Sequence, residues 1–263
     1  MNRFTLTLTR IAVFAAILGG WELLARAGES TFYPPPSAIA AKAVEMWFSG
    51  PAGQLWLSEA ALGHFPPSIG RLLVGWVLAG VIGIGLGLLL GRTAVALRFL
   101  DPVIQFGRAL PPPALLMVFL ALFGSGPRMQ IAVIAFGIVW PVLFNTIDGA
   151  RNVDALYLES ARAFGLSGRQ RLTKVILPAA APKIFAGLRV SLSLALILMV
   201  ISELVGATDG IGFQLLTAQR NFDLASVWGL VILLGVLGLL LNGLFLLVER
   251  RLLAWHRFAR QTV

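Results

Sequence analysis

Apolar residues in this chain gather into long unbroken runs, with neither strict alternation nor a polar stripe to mark one wet face. Six runs approach the roughly 20 residues that a membrane-crossing helix needs. They cover about residues 11–24, 72–91, 99–123, 129–147, 184–206 and 227–248. The second has no charge between Arg71 and Arg92, the fourth lies between Arg128 and Asp148, and the sixth between Asp223 and Glu249. The third is interrupted by Pro111, Pro112 and Pro113; the fifth carries Arg189 and Glu203 near its ends. The pattern predicts an all-α, polytopic membrane protein with about six transmembrane helices. The first run is short, holds Gly19, Gly20 and Glu22, and has a second reading. Arg3 and Arg10, a short apolar stretch and Ala25-Arg26-Ala27 also resemble a cleavable signal peptide.

Composition agrees. Of 263 residues 58% are hydrophobic and 13% charged, against roughly 25% charged in soluble domains. With no cysteine, disulfides, thiolate nucleophiles and cysteine-held metals are excluded. The two histidines, His64 and His256, are far apart, which argues against a metal site. The net charge of +9 takes its meaning from placement. With the N-terminus inside, 15 Lys and Arg face the cytoplasm, among them Arg92, Arg151, Arg162, Arg169, Arg171 and Lys174; only Arg26, Lys42, Arg71, Arg128 and Arg220 lie outside. Both termini are therefore expected in the cytoplasm. The basic residues are expected against anionic inner-leaflet lipid, with no nucleic-acid role.

Two connections are long. Residues 27–70, outside, hold the extended run Tyr33-Pro34-Pro35-Pro36 and a short interfacial helix, with Ser37 as a possible cap. Residues 149–183, inside, have helical periodicity up to Gly165, where a left-handed turn costs little only for glycine. Ser167, with Gln170 three positions on, predicts a capping box for a second helix, ending before Pro178. On pattern alone, an ordinary solvated basic loop is an equal reading.

Glu159-Ser160-Ala161, three residues, Gly165, nine residues, Val175, one residue, Leu177-Pro178 resembles the EAA loop of binding-protein-dependent ABC importer permeases. Its usual form is Glu-Ala-Ala, three residues, Gly, nine residues, Ile, one residue, Leu-Pro; Ser160 and Val175 are the departures. Arg108-Ala-Leu-Pro111, Phe123-Gly124 and Gly210-Ile-Gly212 also fit. Tyr33 to Ser37 and Ala163 to Gly168 look most like the nitrate/sulfonate/taurine branch. The resemblance implies a type I importer fold, with an N-terminal helix and extracytoplasmic segment (1–64), the transmembrane domain (65–255) and a tail (256–263). It also implies that residues 151–183 form a coupling helix docked on an ATPase, through Glu159, Ser160, Ala161, Ala163, Gly165, Leu166, Val175, Leu177 and Pro178. The implied partners are two copies of that ATPase, a second permease copy, an extracytoplasmic binding protein and membrane lipid, in the bacterial inner membrane. ATP and Mg would bind the ATPase, and the chain itself has no phosphate loop and no implied cofactor.

Polar residues within spans are functional candidates. Asp101, Gln105 and Arg108 share a helix face; either Asp101 and Arg108 offset each other or Arg108 lies on an anion's path. Ser202 and Glu203 are open to a gating role or to a snorkelled outer-leaflet position. Asn145 and Asp148 close the fourth run, and Pro111 marks a break that either borders the path or is a structural kink. Gly83, Gly87 and Gly91 form a close-packing ladder whose partner is left open. The implied cargo is a small anion such as a sulfonate, taurine or nitrate, with a pyrimidine-type vitamin precursor as alternative. An ion-coupled secondary transporter is the rival from another class, but it would need midplane carboxylates.

Overall fold

In the computed structural model, residues 3–28 and 32–254 are described, and among them every regular element is helical. The α-helices are α1 (Arg3–Gly28), α2 (Pro36–Trp47), α3 (Glu59–Arg92), α4 (Ala94–Ala109), α5 (Leu116–Phe123), α6 (Pro127–Arg151), α7 (Ala155–Ala163), α8 (Gly168–Arg171), α9 (Leu177–Glu203), α10 (Ile211–Arg220) and α11 (Leu224–Leu252). Five stretches are long and apolar enough to cross a membrane. The pair α4 and α5, bent by 83° at the proline run, makes six when counted as one broken span. The tail assigned to 256–263, with His256, lies outside the described residues.

The chain divides into two compact units. The first takes residues 1–67 and 209–235. Here α2 starts at Pro36, not at a Ser37 cap: Pro35 is extended, and proline is favoured in the first helical turn because its missing N–H leaves nothing unpaired. Ser37 is instead held by α1, donating its N–H (3.0 Å) and hydroxyl (2.7 Å) to Glu22, whose carboxylate also pairs with Arg26. His64 Nδ1 accepts the Gly210 N–H at 2.9 Å, fixing the start of α10, so this histidine has a backbone partner.

The second unit takes residues 68–208 and 236–263. Its centre is α6, buried at twelve positions including Met129, Val133, Ile138 and Val142. The glycine ladder of α3 meets α6 of the same chain. A Cβ would meet Ile134 at Gly75, Val142 at Gly83, Thr146 at Gly87 and Ala150 at Gly91. Position numbers rise together along both helices, so α3 and α6 run parallel. The intervening residues must carry the chain back across, and the bent α4–α5 pair supplies that crossing. Helix α9 runs the other way: Gly149 abuts Ala180 and Lys183, Gly187 abuts Pro141 and Asn145, and Gly137 abuts Leu198. The segment between α6 and α9 therefore emerges at the Arg92 end of α3.

Candidate functional site

Three small elements build that segment. Asp154 accepts the Leu156 N–H at 2.9 Å and caps α7. Only one face of α7 is covered: Ala161 is buried, and Leu158 packs against the cluster of Ala150, Val153 and Ile176. The other face presents Leu156, Tyr157 and Glu159 to the surroundings. Phe164 follows, the most exposed large apolar side chain of the segment at 84%. Gly165 has φ +71°, the left-handed backbone that a Cβ would strain. Ser167 then caps α8 in a full capping box, its N–H donating to Gln170 Oε1 at 2.9 Å and the Gln170 N–H to its hydroxyl at 3.4 Å.

Helix does not end at Pro178 as its sequence context suggests. A π-helical turn, Leu172–Ile176, links α8 to α9, and the Leu177 N–H donates to the Leu172 carbonyl five residues back. Pro178, which has no N–H to give, falls directly after this change of bonding pattern, so the helix tolerates it. Helical backbone is continuous from Gly168 to Glu203. Val175 and Ile176 pack inward, Pro178 and Leu166 are half-buried, Ser160 is half-buried, and Ala163 and Leu177 are exposed. The segment is a short helix and a fixed corner joined rigidly to a spanning helix.

Other sequence-marked residues divide into two groups. Arg108 lies on exposed α4, its guanidinium 5.1 Å from the Phe144 ring centroid on α6. Asp101 takes a hydrogen bond from Gln105 at 3.4 Å, and among the described residues no ion pair joins it to Arg108. Pro111 is exposed at the bend, while Pro112 beside it packs where a Gly137 side chain would stand. Asn145 donates to the Pro141 carbonyl at 2.8 Å. Asp148 meets Lys183 of α9 at 2.8 Å, across an exposed pair.

Ser202 and Glu203 are turned into the packed chain. Ser202 donates to the Met199 carbonyl at 2.9 Å. Glu203 is 1% exposed, which overturns the snorkelled reading. Its carboxylate takes the Ser68 hydroxyl (2.8 and 2.9 Å) and pairs with Arg71 at 3.0 Å. Arg71, counted from sequence as an outer-loop charge, is itself 6% exposed, because α3 begins at Glu59 and carries it inside the helix. Sequence reasoning missed Ser68 and Arg71; their signal was a three-residue spacing on the flank of an apolar run. It also missed Gln130, a buried amide without a hydrogen-bond partner among the described residues.

Residues 79–254 match the family described as binding-protein-dependent transport system inner membrane component. The chain belongs to this family. The matched region holds α6, the segment after it and α9 entire. Among curated relatives, the putative aliphatic sulfonates transport permease protein SsuC of Bacillus subtilis is 33% identical, over 92% of this chain and 85% of its own. The nitrate import permease protein NrtB of Leptolyngbya laminosa is also 33% identical, over 90% and 84%. The taurine transport system permease protein TauC of Escherichia coli is 29% identical, over 94% and 89%. The fold is shared with the MetNI methionine ABC transporter solved in inward-facing conformations, with a TM-score of 0.66 over 74% of this chain and 99% of that one at 20% identity. The protein is thus an ABC importer permease of multi-pass membrane architecture, a transmembrane subunit and not the enzyme that hydrolyses ATP.

Proposed function

We propose that this permease passes a small anion, of the sulfonate, taurine or nitrate kind, across the bacterial inner membrane. The anion is handed over by an extracytoplasmic binding protein, and ATP and Mg held by two copies of an ATPase drive its passage. Two copies of the chain form the working pair, with both termini in the cytoplasm. The observation that carries the reading is the handle: an exposed helix face, a left-handed glycine corner and a capping box on a helix running unbroken to Glu203. A push on such a handle moves a whole span as a rigid body. Glu159 offers a charge for an Arg or Lys on the ATPase, and Ala163 lets a backbone approach. The named relatives support the anion class, since their names carry aliphatic sulfonates, nitrate and taurine. Arg108 and Asn145, on neighbouring helices joined by the Phe144 contact, are the residues assigned to the path. Pro111 borders it at the bend. Ser202 and Glu203 would act by holding two helices together.

The test is transport by the complex of permease, ATPase and binding protein in vesicles, with a panel of taurine, alkanesulfonates, nitrate and a pyrimidine precursor. Uptake of an anion and neglect of the pyrimidine supports the proposal; the reverse pattern rejects the anion class. Uptake that persists without ATP and follows an ion gradient rejects ATP-driven import.

A further inference from the structure

Beside the proposed coupling segment lies a cavity of about 750 Å³, which gathers three of the basic residues expected at the inner face around one space. Its walls come from the last turns of α3 and from α7, α8 and the π turn. Apolar side chains line it from two elements, Leu88 and Leu89 of α3 and Leu172 and Ile176 of the π turn; Gly85 of α3 opens it further, since nothing lies within 4 Å of where its Cβ would stand. The rim carries three guanidinium groups, Arg92, Arg162 and Arg171. Arg92 donates to the Ala150 carbonyl at 3.3 Å. Among the described residues no carboxylate pairs with any of the three. The apolar wall continues onto the exposed face of α3, where Val81 and Leu86 stand open.

We infer that this cavity binds an anionic phospholipid of the inner leaflet, the phosphate at the arginine rim and an acyl chain along the α3 wall. Charge decides the headgroup, because three unpaired cations at the membrane boundary favour an anionic phosphodiester over a zwitterionic head. The apolar wall decides for a lipid over a free anion, because an inorganic phosphate would leave it wet. The site joins the coupling helix to the end of α3, so a bound lipid would tie the handle to the span beside it. The assignment to the inner leaflet rests on the proposed cytoplasmic placement of residues 151–183.

The experiment is native mass spectrometry of the assembled permease–ATPase complex in mild detergent with added phosphatidylglycerol, phosphatidylcholine and inorganic phosphate. Preferential retention of phosphatidylglycerol is expected, reduced about fivefold by each of Arg92→Gln and Arg171→Gln. Gly85→Leu, which fills the apolar wall and leaves every charge in place, is expected to lower it as well. Equal retention of the two lipids, or preference unchanged in all three variants, would overturn the site. So would displacement of the lipid by inorganic phosphate, or assembled complex that retains no lipid, which would give the groove to the ATPase. Retention of ATPase in the same spectra tests the coupling assignment separately.

Discussion

Glu203 and Arg71 are two charges withdrawn from water, and the pair between them, with the Ser68 hydroxyl on the carboxylate, offsets the cost of that burial. Removing one partner of a buried pair leaves an uncompensated charge, at a cost of about 3–5 kcal/mol. Arg71→Met should therefore lower thermal stability in detergent sharply, while Arg71→Met with Glu203→Leu should recover most of the loss. Equal stability of the single and double variants would show that the pair is not coupled. Asp223 is a milder case, just outside α11. Burial alone would raise its pKa, but the Ser226 hydroxyl (2.6 Å) and N–H (3.1 Å), with the charge of Lys42, outweigh that and hold it below the ordinary carboxylate value of 3.8. A lowered folded pKa means the contribution is whole above the unfolded value and lost as pH falls through the folded one. Exchange of the Ser226 amide with solvent deuterium should thus quicken, relative to that of its helix neighbours, only below about pH 4; Asp223→Asn should remove the step.

At the scale of elements, the α3–α6 contact is set by glycine spacing. Every fourth residue on one helix is small where the other presents Val142, Thr146 and Ala150, so the backbones close on each other. Gly87→Leu should push the helices apart and lower the thermal midpoint, whereas Gly70→Ala, with open space around it, should change it little. Similar losses from both would mean that the contact with α6 does not set the cost, since Ala and Leu both favour helix over glycine. The ladder was legible in the sequence, but its partner was not: small-residue spacing gives a face, and a face has no address until another helix is seen against it. The capping box at Ser167 was legible in full because its two bonds join residues three apart. The continuation of helix through Pro178 was not, since it depends on a π turn that no local pattern demands.

At the scale of the whole molecule, the proposed coupling depends on the corner at Gly165. Gly165→Asp puts a Cβ on a left-handed backbone and a charge on the exposed face proposed to dock the ATPase. The variant should insert and fold, bind the ATPase weakly or not at all, and give transport reduced at least tenfold in reconstituted vesicles, each tenfold step being about 1.4 kcal/mol of lost coupling. Wild-type transport with normal ATPase binding would remove residues 151–183 from the coupling role. The same corner explains why so much of the segment's structure was readable here: the motif is continuous in the chain, and its spacing is the spacing of the helix, turn and cap that it builds.

By itself the sequence determined the apolar runs, the capping box at Ser167 and the glycine corner, because runs of apolar side chains and local capping bonds are properties of neighbouring residues. It could not determine that α3 and α6 run parallel, that the helices either side of the proline run meet at a bend of 83°, or that Arg71 and Glu203 lie buried together. Those depend on residues far apart in the chain, and a charge at the edge of an apolar run looks the same whether it faces water or a partner. Only tertiary structure tells the two apart, because only there is the partner's position fixed.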